Sequence, residues 1–84
     1  MSETIDILAS KLAEDTLKVM DQTGEERLYV EVGSVLAAAS QSLEEAYLTE
    51  VRVRLAERTA RDFLKKRYTE LKSGTPSETT EQAG

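Results

Sequence analysis

The stretch that decides the fold is residues 34–61, SVLAAASQSLEEAYLTEVRVRLAERTAR. It contains no Gly, Pro, Asn or Asp, the residues that most often turn a chain. Alanine, leucine and glutamate dominate its first half, and all three favour helix. The stretch therefore predicts one continuous helix that ends near Lys72, where Gly74 and Pro76 follow.

The apolar face of this long helix changes direction along the chain. At about 100° per residue, the face of the first half and the face of the second half lie roughly 80° apart. The helix is therefore apolar on several sides between residues 47 and 56, and it needs more than one neighbour to bury it. A break near Thr49 would instead re-phase the stripe and give three helices, and the sequence leaves this alternative open.

A shorter helix is predicted before the long one. Within residues 3–21, apolar side chains recur at the spacing of one helical face, among them Ile5, Leu8 and Leu12. Gly24 is predicted to end this helix, because glycine adopts a left-handed backbone conformation at little cost. The two segments together predict an all-α fold, a helical hairpin with a long second helix.

The connection between the two helices carries an ambiguous segment, residues 27–32, Arg-Leu-Tyr-Val-Glu-Val. Its alternating apolar residues and its β-branched and aromatic side chains favour a short strand. A single strand would need a partner strand, however, because its backbone N–H and C=O groups would otherwise stay unpaired and exposed to pairing with other chains. Leu28 and Val32 also fit a helical face that continues downstream, so both readings stay open.

The predicted hairpin carries more apolar surface than its two helices can bury against each other. A chain of this size often needs a disulfide, a metal or self-association, and without Cys or His the first two are excluded in their usual forms. We therefore expect a homodimeric helical bundle or another homo-oligomer. The predicted self-association interface consists of Leu43, Tyr47, Leu48, Val51, Leu55 and Phe63. Replacing Val51 with Asp is expected to break the oligomer.

Charge is distributed unevenly along the chain. Residues 1–49 hold ten acids and three bases, whereas residues 50–72 hold four acids and eight bases. Four of those bases fall close to one line on the helix: Arg54, Arg58, Arg61 and Lys65. This stripe fits a solvated face, a contact with an acidic protein surface such as another copy, or a polyanion site. The formal net charge of -5 weighs against nucleic acid.

Composition excludes most catalytic chemistry. The absence of His and Cys removes catalytic triads, thiol nucleophiles and zinc sites with nitrogen or sulfur ligands. Adjacent acids such as Glu44 and Glu45 point about 100° apart on a helix, so they do not converge on a metal. We expect no enzyme, no cofactor and no metal site. No apolar run approaches the roughly 20 residues that span a bilayer, so a cytoplasmic protein without a membrane partner is expected.

These observations predict a single helical domain over residues 1–72 and a disordered tail over residues 73–84, which has no apolar anchor. The leading functional hypothesis is a non-catalytic helical interaction module, a small regulatory or assembly subunit that acts through self-association and partner binding. The alternative is a nucleic-acid-binding protein that uses the basic stripe in residues 54–72.

Overall fold

The structure is a computed structural model that describes residues 3–74. Its described part consists of three helices, α1 (Glu3–Thr23), α2 (Leu28–Ala39) and α3 (Gln41–Ser73), and it contains no strand. The prediction of an all-α fold is therefore confirmed. Gly24 and Gly74 both have positive φ, and their N–H groups donate to carbonyl oxygens of the preceding turn, so they end α1 and α3 as predicted.

The strand considered at residues 27–32 is wrong, because α2 begins at Leu28. One side of α2 faces inward: Leu28, Val32 and Leu36 are half-buried at intervals of four residues, and Gly33 beside them is buried. This helical spacing prevails over the two-residue alternation, since a lone strand would leave its backbone groups unpaired.

The long second helix of the predicted hairpin is interrupted at Ser40, not near Thr49. Ser40 has an extended backbone, and its N–H donates to the Leu36 carbonyl oxygen at 2.7 Å. Its hydroxyl oxygen accepts a hydrogen bond from the Leu43 N–H at 3.2 Å. One residue thus ends α2 and caps the start of α3, a role in which serine is among the preferred residues. The two-helix hairpin is therefore corrected to three helices.

Replacing Ser40 with Ala is expected to lower the free energy of unfolding by about 1 kcal/mol, because the Leu43 N–H loses its acceptor. Urea denaturation followed by circular dichroism measures the effect. Ser42→Ala is the matched control, since Ser42 is an exposed residue inside the first turn of α3. Equal changes in the two variants would contradict the capping role.

The described residues divide into two units, the first ending at Arg54 and the second beginning at Leu55. In the first unit, the buried residues of all three helices form a small core: Ala9, Ala13, Thr16, Leu17, Gly33, Tyr47 and Val51. Gly33 of α2 lies against α3, since a Cβ at this position would lie 3.4 Å from Leu48 Cδ2, in van der Waals contact. The prediction of one domain over residues 1–72 stays a prediction.

The second unit consists, in its described part, of the remainder of α3 and Gly74. Ser73 still belongs to the helix, so the predicted tail begins at least one residue too early; its remaining residues, 75–84, lie outside the described part. Most side chains of this unit are exposed. None of the helices described over residues 3–74 is long and apolar enough to cross a membrane.

Candidate interaction surface

Tyr47 lies where the three helices of the first unit meet. Its side chain is fully buried. The Tyr47 hydroxyl donates a hydrogen bond to the main-chain oxygen of Tyr29 in α2 at 3.0 Å. Thr16 of α1 also interacts with the Tyr47 hydroxyl, so Tyr47 is linked to both preceding helices.

Burial raises the pKa of Tyr47 above its ordinary value near 10, and the nearby Tyr29 adds to this effect. The interaction with Thr16 acts in the opposite direction but does not cancel it. The folded chain therefore favours the neutral form of the Tyr47 side chain. Because the unfolded chain ionises this group at lower pH, the stability due to the neutral phenol is lost as pH rises above about 10.

Tyr47→Phe is expected to be less stable than the original chain by about 1 kcal/mol at pH 8, because the hydrogen bond to the main-chain oxygen of Tyr29 is lost. Above pH 10 this difference is expected to shrink, since only the original chain must hold a buried phenol un-ionised. Urea denaturation at several pH values between 8 and 11 measures it. A difference that stays constant over this range would contradict the assignment.

The residues of the predicted self-association interface differ in exposure, and the interface itself stays a prediction. Tyr47 and Val51 are fully buried within the first unit, so they are not available on its surface for a second copy. The physical reason is the break at Ser40, which folds α2 against α3 and covers a side that the hairpin would have left open. Three other predicted interface residues are half-buried: Leu43, Leu48 and Leu55. Phe63 is 56% exposed.

Arg54, the first residue of the predicted basic stripe, is engaged inside its own chain. Its guanidinium donates to Ser10 Oγ at 2.8 Å and to Glu14 Oε2 at 3.4 Å, both on α1. It also pairs with Glu50, and this hydrogen bond raises the pKa of Arg54. Arg54 therefore links α1 to α3, and its placement in the basic stripe stays a prediction.

The other three cations of the stripe lie in the second unit. Arg61 donates to the Glu57 carboxylate one turn earlier, which raises the pKa of Arg61. Arg58 also has an interaction partner. Lys65 is exposed and makes no ion pair within residues 3–74. Pairing with carboxylates weakens this stripe as a site for phosphates.

The second unit carries a cluster of exposed apolar side chains, which we call the C-terminal apolar face; Arg67, paired with Glu70, lies between two of its members, Phe63 and Leu71. Its members lie within about 140° of the helix circumference at about 100° per residue, and each is more than half exposed. They are Phe63, Leu64, Tyr68 and Leu71. Sequence reasoning placed only Phe63 in an interface, although the spacing of Leu64 and Leu71 on the same side was a usable signal.

An adjoining strip of the same helix is basic. Arg61 and Lys65 lie next to Leu64 and Tyr68 on the helical projection. The Lys72 ammonium lies 5.9 Å from the centre of the Tyr68 ring, within the range of a cation–π interaction. The C-terminal apolar face is thus bordered by positive charge, and any surface that covers it gains from carrying carboxylates.

An open groove lies along one side of α1. It is lined by Glu3, Asp6, Ile7, Ser10, Lys11 and Glu14. Its apolar centre is Ile7, which is 61% exposed. The one cation in the lining, Lys11, pairs with Asp15 at 3.7 Å. The groove therefore combines an exposed apolar side chain with an acidic border, and we call it the α1 acidic groove.

No protein-family model, curated protein or solved structure matches this chain. Within residues 3–74, no group of three or more carboxylates is placed to hold a metal ion. Every buried side-chain nitrogen or oxygen in this part of the chain has a hydrogen-bond partner.

Proposed function

We propose that the protein is a non-catalytic helical interaction module, a small regulatory or assembly subunit that acts by binding protein surfaces. The observation that carries this proposal is the C-terminal apolar face. Fully burying one large apolar side chain contributes about 1.5–3 kcal/mol, so leaving four of them in water forgoes a substantial stabilisation. An exposed cluster of apolar side chains of this kind is typical of sites that bind another protein.

The composition of the face supports a protein partner. Aromatic residues and arginine are enriched among the residues that contribute most to protein interfaces, and Tyr68 and Arg61 lie about 20° apart on the helical projection. The face lies on a regular helix, α3. A helix that presents apolar anchors one and two turns apart suits docking into a groove of a partner.

The alternative, binding of nucleic acid by the basic stripe, has less support. Arg54 and Arg61 already pair with carboxylates, and the chain is acidic as a whole. We expect the protein to pass through a polyanion column at low salt without retention. Strong retention that falls steeply with rising salt would instead favour the nucleic-acid hypothesis.

Site-specific photo-crosslinking in the native cell tests the interaction hypothesis. A photoreactive amino acid replaces Phe63 in one variant and Asp62 in a control, because Asp62 is exposed and points about 100° away from Phe63, off the C-terminal apolar face. We expect light-dependent adducts with protein from position 63 and few from position 62. The absence of adducts from position 63, or equal yields from both positions, would contradict the proposed function.

A further inference from the structure

We propose that the C-terminal apolar face is covered by the α1 acidic groove of a second copy of this chain. This inference rests on the proposed function and names its partner. Two surfaces of the chain are each incomplete alone: one is apolar with a basic border, and the other is apolar with an acidic border. Both are exposed, as Ile7 and Leu64 are each 61% exposed.

Charge decides which surfaces pair. Residues 1–54 contain eleven acids and five bases, a net charge of 5 − 11 = -6. Residues 55–74 contain three acids and six bases, a net charge of 6 − 3 = +3. Two copies of the basic segment would repel each other, and so would two copies of the acidic one. Pairing of unlike segments brings opposite charges together and speeds association.

The two surfaces are complementary in their apolar residues as well as in their charges. On the C-terminal segment, Leu64 is flanked by Arg61 and Lys65. In the groove, Ile7 is flanked by Glu3 and Asp6, one turn before it and beside it. Docking the leucine against the isoleucine would remove both from water and leave the four charges at the edge of the contact. Charges in that position guide association and choose the partner, while the apolar pair supplies most of the affinity.

A second copy is the occupant that needs the fewest further assumptions, because each chain supplies both halves of the contact. Two chains related by a two-fold axis would make the contact twice, once in each direction. Stable protein contacts bury about 800 Å² on each partner, and making the contact twice helps a chain of 9.3 kDa reach that area.

The first test is the mass of the full-length chain in solution, measured by light scattering and sedimentation equilibrium from micromolar to millimolar concentration. We expect a concentration-dependent dimer of about twice the 9.3 kDa chain mass, weakened by added salt. Leu64→Asp and Ile7→Asp are each expected to raise the dissociation constant tenfold or more. Circular dichroism should show that both variants stay folded, since both side chains are exposed.

Val35→Asp is the matched control, because Val35 is also a strongly exposed apolar residue but belongs to neither surface. It should leave the dissociation constant unchanged within about twofold. If it weakens the dimer as much as the other two variants, the assignment of the contact is overturned.

Mixing the two weakened variants tests the contact directly. The Leu64→Asp chain keeps an intact groove, and the Ile7→Asp chain keeps an intact C-terminal apolar face. The mixture is therefore expected to form a one-to-one dimer with one good contact, at concentrations where neither variant dimerises alone. If Ile7→Asp has no effect while Leu64→Asp abolishes the dimer, the faces pair with each other, and the inference is overturned.

The remaining outcomes separate this inference from the proposed function. A chain that stays monomeric at millimolar concentration, but whose position 63 crosslinks to a different protein, overturns the inference and retains the function. A monomer without any crosslink overturns both. A dimer that follows the pattern of variants above supports both.

Discussion

Replacing Val51 with Asp is expected to unfold the first unit. Val51 is fully buried in the small core shared by the three helices. A carboxylate there would lose its hydration without gaining a partner, or would have to be protonated at neutral pH; either way we expect a loss of at least about 4 kcal/mol. Since small domains are stable by only about 5–15 kcal/mol, such a loss removes most of the folded population. Circular dichroism and urea denaturation at pH 7 measure it.

Val53→Asp is the matched control, because it introduces the same residue two positions away on the same helix. Val53 is 60% exposed, so its replacement should change the free energy of unfolding by less than about 1 kcal/mol. A folded Val51→Asp chain of lower mass than the original would contradict this prediction. It would instead place Val51 in the self-association interface, as the sequence predicted.

Tyr47→Ala is expected to have the second largest effect, a loss of about 3–5 kcal/mol, the range found when a buried aromatic side chain is removed. The ring fills the point where the three helices of the first unit meet, and Gly33 of α2 lies beside it. The substitution leaves a cavity and also leaves the main-chain oxygen of Tyr29 without its hydrogen-bond donor. Urea denaturation measures the change.

Tyr68→Ala provides the control for the loss of an aromatic ring from α3. Tyr68 is exposed, so its removal should change the free energy of unfolding by less than about 0.5 kcal/mol. The loss in the free energy of unfolding for Tyr47→Phe should lie between the losses for Tyr47→Ala and Tyr68→Ala, because Tyr47→Phe keeps the ring and loses only the hydroxyl. Equal effects of Tyr47→Ala and Tyr68→Ala would contradict the role of Tyr47 in the core.

Much of the fold could be predicted because helix signals are local. The spacing of apolar residues located α1, and the glycines at 24 and 74 ended α1 and α3 within a few residues of the predicted points. The break at Ser40 was missed because serine is tolerated inside helices and no glycine or proline marks the site. Its capping role depends on one hydrogen bond with the Leu43 N–H, which composition does not reveal.

The candidate surface was predicted less well, for a related reason. The sequence shows apolar residues on several sides of the helix near residues 47–56, and this pattern predicted a contact with a second chain. In the structure, Tyr47 and Val51 are already buried within a single chain. With three helices instead of two, the apolar side chains that remain exposed on α3 include Phe63, Leu64 and Leu71. The basic stripe was read from sequence position alone, and the carboxylates that engage Arg54 lie on another helix as well as on its own.

The single-residue connection at Ser40 also determines where the chain can be lengthened. One residue inserted there would change the position of α3 relative to α2, moving the Tyr47 hydroxyl away from its acceptor. The connection between α1 and α2, residues 24–27, is longer and exposed, and its hydrogen bonds from the Leu28 N–H to the Glu25 oxygen and from the Glu25 N–H to Thr23 Oγ1 are both 3.3 Å long. Epitope tags and fluorescent reporters therefore belong between Glu25 and Glu26, where they leave the helical register intact.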